Sequence, residues 1–366
     1  MEYAYYAYAG GRFELLQRGY FPDVSIFDLK SAYPSVLAEL PDFNYGDFVH
    51  TDSLPDDYDF GWFLCNISTY NRHLSPFLKR VNNLNLYPNG MFCLYMNLSE
   101  IKYILKHFRS TEIEIIDGYY WKPYRLIYPM REEIQRLYRL KELAKDEEAR
   151  DIYKTILVSY YGKQIQVNPD GGTGCLFNPL GASECTARTR IKLMQMALEA
   201  GVENIIGFST DAAHLARKYN YPVSKELGRW DLDITGEGIY LFSDIYTVWN
   251  KERTKDVFRG MIAERDENGE KSFIILREML ERMGKKTRYP YTVSRPVHIG
   301  EALMQGKYPI ADINTWKSFP KTFDINGDRK RLWENDFMSA FECFEENYSS
   351  EPLEVKESTI IKQEGK

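Results

Sequence analysis

Two aspartates stand where this chain could do chemistry. Asp28 closes the apolar run VSIF (24–27) and opens DLKSAYPS (28–35), and Asp211 sits in FSTDAAHL (208–215), a small polar turn between apolar flanks. Between them, KTILVSYYGK (154–163) carries Lys154, Val158 and Tyr161 at i, i+4 and i+7, on one face of a helix. Taken singly, Asp28 is as good a helix N-cap and Asp211 as good a turn former. Together, two carboxylates on adjacent strands facing a lysine-bearing helix are the parts that nucleotidyl transfer needs. Two divalent ions about 3.5–4 Å apart would stabilise the attacking and leaving oxygens, and hard Mg²⁺ takes carboxylate, carbonyl, phosphate and water ligands. A triphosphate needs a cation and backbone amides, and its base needs a flat or apolar platform.

The elements that must hold these residues are partly legible. The opening segment alternates aromatic and small residues up to Gly10-Gly11 and reads as a strand broken by a kink. SAYPSVLAEL reads as a turn into a short helix with Pro34 in its first turn. FGWFLCNISTY (60–70) and EIEIIDGYYW (112–121) read as strands, and SEIKYILKHF (99–108) as a helix with Ser99 as N-cap. A helix over 131–145 would bury Ile134, Leu137, Leu140 and Leu143 or Ala144, and a second covers 148–161. QIQVNPDGGTGCLFNPLG (164–181) is loop-like, ECTARTRIKLMQMALEAG (184–201) is a helix closed by Gly201, and NIIGFSTDAAHLA is strand, tight turn, strand. A strand-rich stretch (237–276), a helix (276–283), a basic loop, a helical segment near 330–347 and a frayed polar tail complete the reading.

Composition bounds the class without choosing a function. The 366 residues suit two or three substructures, and 44% hydrophobic with 27% charged residues describes a globular chain. No apolar run approaches the about 18 residues of a membrane span, and MEYAYYAYAGG lacks the basic and apolar regions of a secretory signal. Five scattered cysteines without CxxC spacing argue for reduced thiols in a cytoplasmic compartment and against a zinc site. A net charge of −6 weakens a nucleic-acid reading, yet basic residues cluster in RLYRLKELAK (136–145) and MGKKTRYPYTVSR (283–295).

In this order the three segments resemble motifs A, B and C of family B DNA polymerases. DLKSAYPS is similar to D-x-x-S-L-Y-P-S, KTILVSYYG to K-x-x-x-N-S-x-Y-G and FSTDAAHL to Y-x-D-T-D-S. Tyr8-Ala9-Gly10-Gly11 resembles the Y-x-G-G linker that precedes motif A, and LGRWDLDITGEGIYLFSDIY (227–246) the segment after motif C that ends in K-x-Y. The likeness spans residues 8 to about 250 and is greatest to the protein-primed branch of phages and linear plasmids. It implies an α+β right-hand fold with an antiparallel palm sheet, helical fingers, an insertion subdomain and a small thumb. The expected boundaries are palm 1–42, insertion 43–128, fingers 129–165, palm again 166–255, and thumb with tail 256–366. The second insertion of that branch would be trimmed to a loop at 166–178, and the upstream exonuclease domain is not expected in this chain.

The resemblance also implies roles. Asp28 and Asp211 would hold two Mg²⁺ ions, for which Mn²⁺ can substitute, helped by the Leu29 carbonyl. Ser31, Ala32, Tyr33, Lys154, Tyr161 and either Lys141 or Arg139 would bind the dNTP, with Tyr33 excluding a 2′-hydroxyl. Tyr8, Gly10, Gly11, Gly162, Tyr246, Lys285 and Lys286 would contact primer-template DNA. A terminal protein primer and a separate exonuclease subunit are the further implied partners, and no membrane is. Three positions depart from the pattern: Ser209 replaces the first Asp of motif C, Val158 the motif B Asn, and Asp244 the Lys of K-x-Y. An anion at 244 would weaken primer binding unless Lys251 or the 285–288 loop compensates. The expected function is therefore DNA-directed DNA synthesis, with a catalytically weakened DNA-binding subunit as the alternative. An RNA-dependent polymerase is disfavoured by the missing pair of adjacent aspartates and by Tyr33.

Overall fold

The computed structural model describes residues 1–366 except 82–83, 169–170, 259–263, 266–270, 273–275, 298–302, 304–305, 307 and 358–366. The chain starts with helix α1 (Glu2–Ala7) and runs through strands β1 (Arg12–Leu15) and β2 (Gln17–Leu29) into α2 (Ala32–Leu37). Next come β3 (Gly46–Thr51), β4 (Gly61–Thr69), β5 (Lys79–Val81), β6 (Leu84–Leu86), β7 (Asn89–Asn97), α3 (Leu98–His107) and β8 (Thr111–Pro123). Three helices follow, α4 (Arg131–Leu143), α5 (Glu147–Lys163) and α6 (Pro179–Ala200), then β9 (Ile205–Thr210), β10 (Ala212–Leu215), β11 (Trp230–Phe242), β12 (Ile245–Trp249) and β13 (Thr254–Phe258). The last elements are β14 (Glu264–Arg265), β15 (Lys271–Ser272), α7 (Leu276–Met283), β16 (Arg288–Pro296), β17 (Trp316–Asp324), β18 (Arg331–Trp333), β19 (Asn347–Pro352) and β20 (Glu354–Lys356).

Two sheets carry the architecture. The larger is antiparallel in the order β1-β9-β10-β2-β11-β12-β13, with β19 added on β2 and β18 on β19. The smaller, in which β20 joins four strands of the segment read as an insertion, has the order β20-β7-β4-β8-β3. Helix α6 lies between the sheets, and its length is almost wholly buried: Leu193, Met194, Met196 and Ala197 share one core with Phe27 and Phe208 of the first sheet and with Phe63 and Phe92 of the second. It packs on both sheets and so fixes them to each other, and its buried charged side chains are bonded, Glu184 to Asn97 and Arg190 to Glu100. A second core joins α7 to the later strands through Met279, Leu280, Ile239, Phe323 and Phe337. No described helix is long and apolar enough to cross a membrane, and all five cysteines are free.

The expected α+β class and antiparallel sheet hold, and several local expectations do not. The opening segment is helical: Ala4 and Ala7, three apart, are its buried positions, while Tyr3 and Tyr6 pack on Tyr95 of the smaller sheet. Alternation of tyrosine and alanine looked like a strand because tyrosine suits both a pleated surface and a half-buried helix flank. Asn97, not Ser99, is the N-cap of α3, and Ser99 turns its hydroxyl to Glu184 at 3.3 Å. On α4 the buried positions are Ile134, Tyr138 and Lys141, whereas Leu143 is 76% exposed. Helix α6 begins at Pro179, capped by the Asn178 side chain, inside the stretch read as loop. The basic loop of 283–295 is mostly strand β16. No long helix forms over 330–347, where Arg331 and Phe337 are buried by tertiary contacts that override helical propensity. Nor is the segment before residue 357 frayed: β19 joins the first sheet and β20 the second. The boundary expected at 255/256 falls inside β13. Part of the strand-rich stretch of 237–276 lies outside the described residues.

Candidate active site

Strands β2 and β10 pair antiparallel with Asp28 opposite Ala212, so Asp28 and Asp211 meet at one end of neighbouring strands. The Leu29 amide donates to the Asp211 carbonyl at 3.0 Å and ties the two turns together. Backbone strain is concentrated here: Ser31 and Thr210 are non-glycine residues with φ of 48° and 61°, a conformation retained only where the surroundings impose it. The Asp211 amide closes a three-residue turn onto the Ser209 carbonyl at 2.7 Å.

Burial is the main influence on the charge state of the pair. Asp28 is pushed up to about 6, chiefly by burial and further by Asp233 and Asp231, against the pull of Lys30 and Lys255. Asp211 is pushed up to about 7 by burial, then by Asp28 and Asp244. The neighbouring acids are neutralised: Asp231 pairs with Lys30 at 2.6 Å, and Asp233 with Lys255 at 2.5 Å and Arg253 at 2.7 Å. Among the described residues, neither Asp28 nor Asp211 has a cationic side chain in ion-pair contact. Two half-buried carboxylates lacking a counterion form a donor set of hard oxygens that suits Mg²⁺. No group of three or more His, Cys, Asp or Glu gathers tightly enough to hold a metal among the described residues, so any ion here would complete its shell with carbonyl, water and substrate oxygens.

A cleft of about 710 Å³ opens from this pair toward α4 and α5. Asp28 and Asp211 form one end of its lining; Lys141, Arg150 and Lys154 supply cations, and Val158 an apolar patch. Lys141 reaches Ser31 Oγ at 3.3 Å, whereas Arg139 is exposed and does not line the cleft. Beside it Tyr33 stacks on Tyr161, with centroids 4.2 Å apart and planes at 22°. The Tyr161 hydroxyl donates to Tyr8 at 3.2 Å. Gly11 owes its lack of a side chain to this packing, since a Cβ there would come within 2.8 Å of both Tyr33 Oη and Thr210 Cγ2. Gly10 adopts φ of 76°, and its carbonyl accepts from Arg190 at 2.5 Å.

Other expected residues are not gathered here. Tyr246 is only 4% exposed, stacked on Tyr240 and against His214, so its ring offers no surface to DNA in this structure. Lys285 and Lys286 are exposed just past the end of α7 and are not among the residues that line the cleft. Gly162 is exposed, with open space where a Cβ would stand. The sequence reading missed Arg150, which a stricter use of helical spacing would have found, since it precedes Lys154 by one turn. It also missed Arg190, whose guanidinium clamps Glu100 through two 2.8 Å bonds, and no local signal marks it.

Residues 2–167 match the family described as DNA polymerase type B, organellar and viral. The fold is similar to that of Phi29 DNA polymerase complexed with primer-template DNA and incoming nucleotide substrates, with a TM-score of 0.65 at 18% identity over 88% of this chain. It is similar also to that of the Phi29 enzyme in its post-translocation binary complex with primer-template DNA, with a TM-score of 0.63 at 17% identity. The match covers 62% of the length of each Phi29 chain. No curated protein matches the sequence.

Proposed function

We propose that this chain, of the family B phage and viral type by its motifs, its match over residues 2–167 and its fold, is a DNA-directed DNA polymerase that adds dNTPs to a primer 3′-hydroxyl. The observation that carries the reading is the convergence of Asp28 and Asp211 across β2 and β10, at the mouth of a cleft lined by Lys141, Arg150 and Lys154. Asp28, Asp211 and the Leu29 carbonyl would hold divalent ions, Mg²⁺ or Mn²⁺. When bound, such ions lower the cost of the negative charge that develops on the entering and leaving oxygens.

The chain's own residues have separable tasks. Lys154 and Arg150 bind the triphosphate from one turn apart on α5, and Lys141 adds a cation while fixing the Ser31 turn. Ser31 and Ala32 present the backbone at which the phosphates turn. Tyr33, held flat by Tyr161, lies where the incoming sugar would sit and excludes a 2′-hydroxyl. Tyr8, Gly10, Gly11 and Gly162 carry the template side, and Lys285 and Lys286 a more distant DNA contact. Replication of phage or plasmid DNA in a host cytoplasm, a terminal protein primer and a separate exonuclease subunit belong to the same reading.

Primer extension by the purified chain, with dNTPs and Mg²⁺ or Mn²⁺, tests it, with Asp28→Asn and Asp211→Asn in parallel. Extension lost in both variants supports the reading. DNA binding with no extension under either metal would favour an inactive DNA-binding subunit.

A further inference from the structure

Ser209 and Asp244, two separate departures in the sequence, touch: the Ser209 hydroxyl donates to the Asp244 carboxylate. They are 35 residues apart and belong to different hairpins. Asp244 lies in the turn between β11 and β12, and that hairpin folds over β10. Tyr240 and Tyr246 stack across it at 4.9 Å and 14°, the Tyr240 hydroxyl meets His214 Nδ1 at 3.0 Å, and the Tyr246 ring packs on the His214 ring. This packing carries the turn to the β9–β10 turn that bears Asp211.

The choice of residue at 244 is what calls for an account. Its φ is 59°, a conformation that Gly or Asn supplies without charge. An aspartate there brings a third carboxylate toward a pair that already repels itself. A purely structural turn would avoid that. A serine at 209, in turn, gives the carboxylate a donor without adding a further acid.

We propose that Asp244, held by the Ser209 hydroxyl, is a positioning residue of the Asp28–Asp211 site: without ligating the cation, it supplies from the β11–β12 turn the negative charge that position 209 lacks. The inference rests on the polymerase reading and assigns a role to a residue which that reading leaves unfavourable. Ser209 and Asp244 then act as one unit, with the acid moved from one side of the contact to the other.

Mn²⁺ titration of the full chain, followed by the paramagnetic resonance of free Mn²⁺, separates the possibilities. Asp244→Asn keeps the shape and the acceptor oxygen and removes only charge, and it is expected to weaken Mn²⁺ binding about tenfold. Ser209→Ala is expected to weaken it about threefold. The double variant Ser209→Asp with Asp244→Asn, which returns the acid to 209, is expected to recover most of the loss. That rescue is an outcome a merely structural turn would not give. Unchanged affinity in Asp244→Asn, or a double variant no tighter than Asp244→Asn alone, would overturn the proposal. Asp28→Asn and Asp211→Asn serve as controls for the reading beneath it: if they bind Mn²⁺ as the unaltered chain does, or if that chain binds none, the metal site itself is wrong and the role of Asp244 falls with it.

Discussion

The Tyr33 ring stacks on Tyr161 while the Tyr161 hydroxyl bonds to Tyr8. Three segments therefore meet in one aromatic contact: the glycine linker, the first turn of α2, and α5. Helix α5 buries only Leu157 fully, so this stack is a main anchor of the cation-bearing helix. A stacked aromatic pair contributes about 0.5–1.5 kcal/mol beyond its buried area.

From this follows a double-mutant cycle. Tyr33→Ala and Tyr161→Ala should each destabilise the chain in urea, with a coupling of about 1 kcal/mol between them. Tyr33→Ala should also raise rNTP relative to dNTP incorporation. Additive losses would show that the rings do not act as a pair. Unchanged sugar discrimination would remove Tyr33 from the nucleotide site.

The cleft cations make a prediction about substrate affinity. Lys154→Ala and Arg150→Ala should each raise the KM for dNTP about tenfold, the scale of one lost charge-assisted phosphate contact, and leave affinity for primer-template DNA nearly unchanged. Lys141→Ala should lower kcat as well, because its bond to Ser31 is lost with its charge. Steady-state extension kinetics and a DNA-binding titration read the two effects separately.

Asp211 links the site to stability through pH. Its carboxyl ionises near the ordinary value in the unfolded chain but only at about 7 in the folded one. The folded state thus holds the proton more tightly, and stability falls as pH rises from about 4 to 7. Asp211→Asn escapes this penalty. Without divalent metal it should be more stable than the unaltered chain at pH 8, by up to about 4 kcal/mol, and nearly equal in stability at pH 4. Mg²⁺ should close the gap by binding the unaltered chain alone. Thermal melts at the two pH values, with and without Mg²⁺, check both signs.

The parts of this site that announce themselves in sequence are those where type and spacing are both constrained. Asp28 near a strand end and Asp211 in a tight turn follow from the apolar runs and turn residues around them, and Lys154 and Tyr161 from helical spacing, whereas grouping them in one site rests on the motif resemblance. The Ser209–Asp244 contact was invisible because it depends on how the β11–β12 hairpin folds over β10, which no local pattern encodes. Tyr246 misled for a related reason: a tyrosine in a strand suits a nucleic-acid surface and a buried stack equally well. The opening helix and the stretch around Arg331 failed where tertiary burial overrode local preference.

Arg331 carries the last prediction. Its guanidinium contacts Glu14, whose other partner is Arg12, and all three side chains are buried. The same group donates to Ser350 Oγ and to the His73 carbonyl, each at 2.7 Å. It thereby joins β1, the segment before β5, and β19. Glycine supports the seam on both sheets: Gly19 and Gly90, each at φ of 112°, receive the Glu346 and Val355 carbonyls so closely that a Cβ would stand 2.0 Å away. Arg331→Ala leaves Glu14 buried with half its neutralisation and should cost about 3 kcal/mol. Replacing the acid as well, Arg331→Met with Glu14→Gln, should cost more than the single change, because Arg12 is then left buried without its carboxylate. If the seam fastens the end of the chain, limited proteolysis of Arg331→Ala should cut between β18 and β20 before the rest of the fold opens. Cleavage that begins elsewhere would mean that β19 is held by its strand pairing with β2 and β18 rather than by the Arg331 side chain.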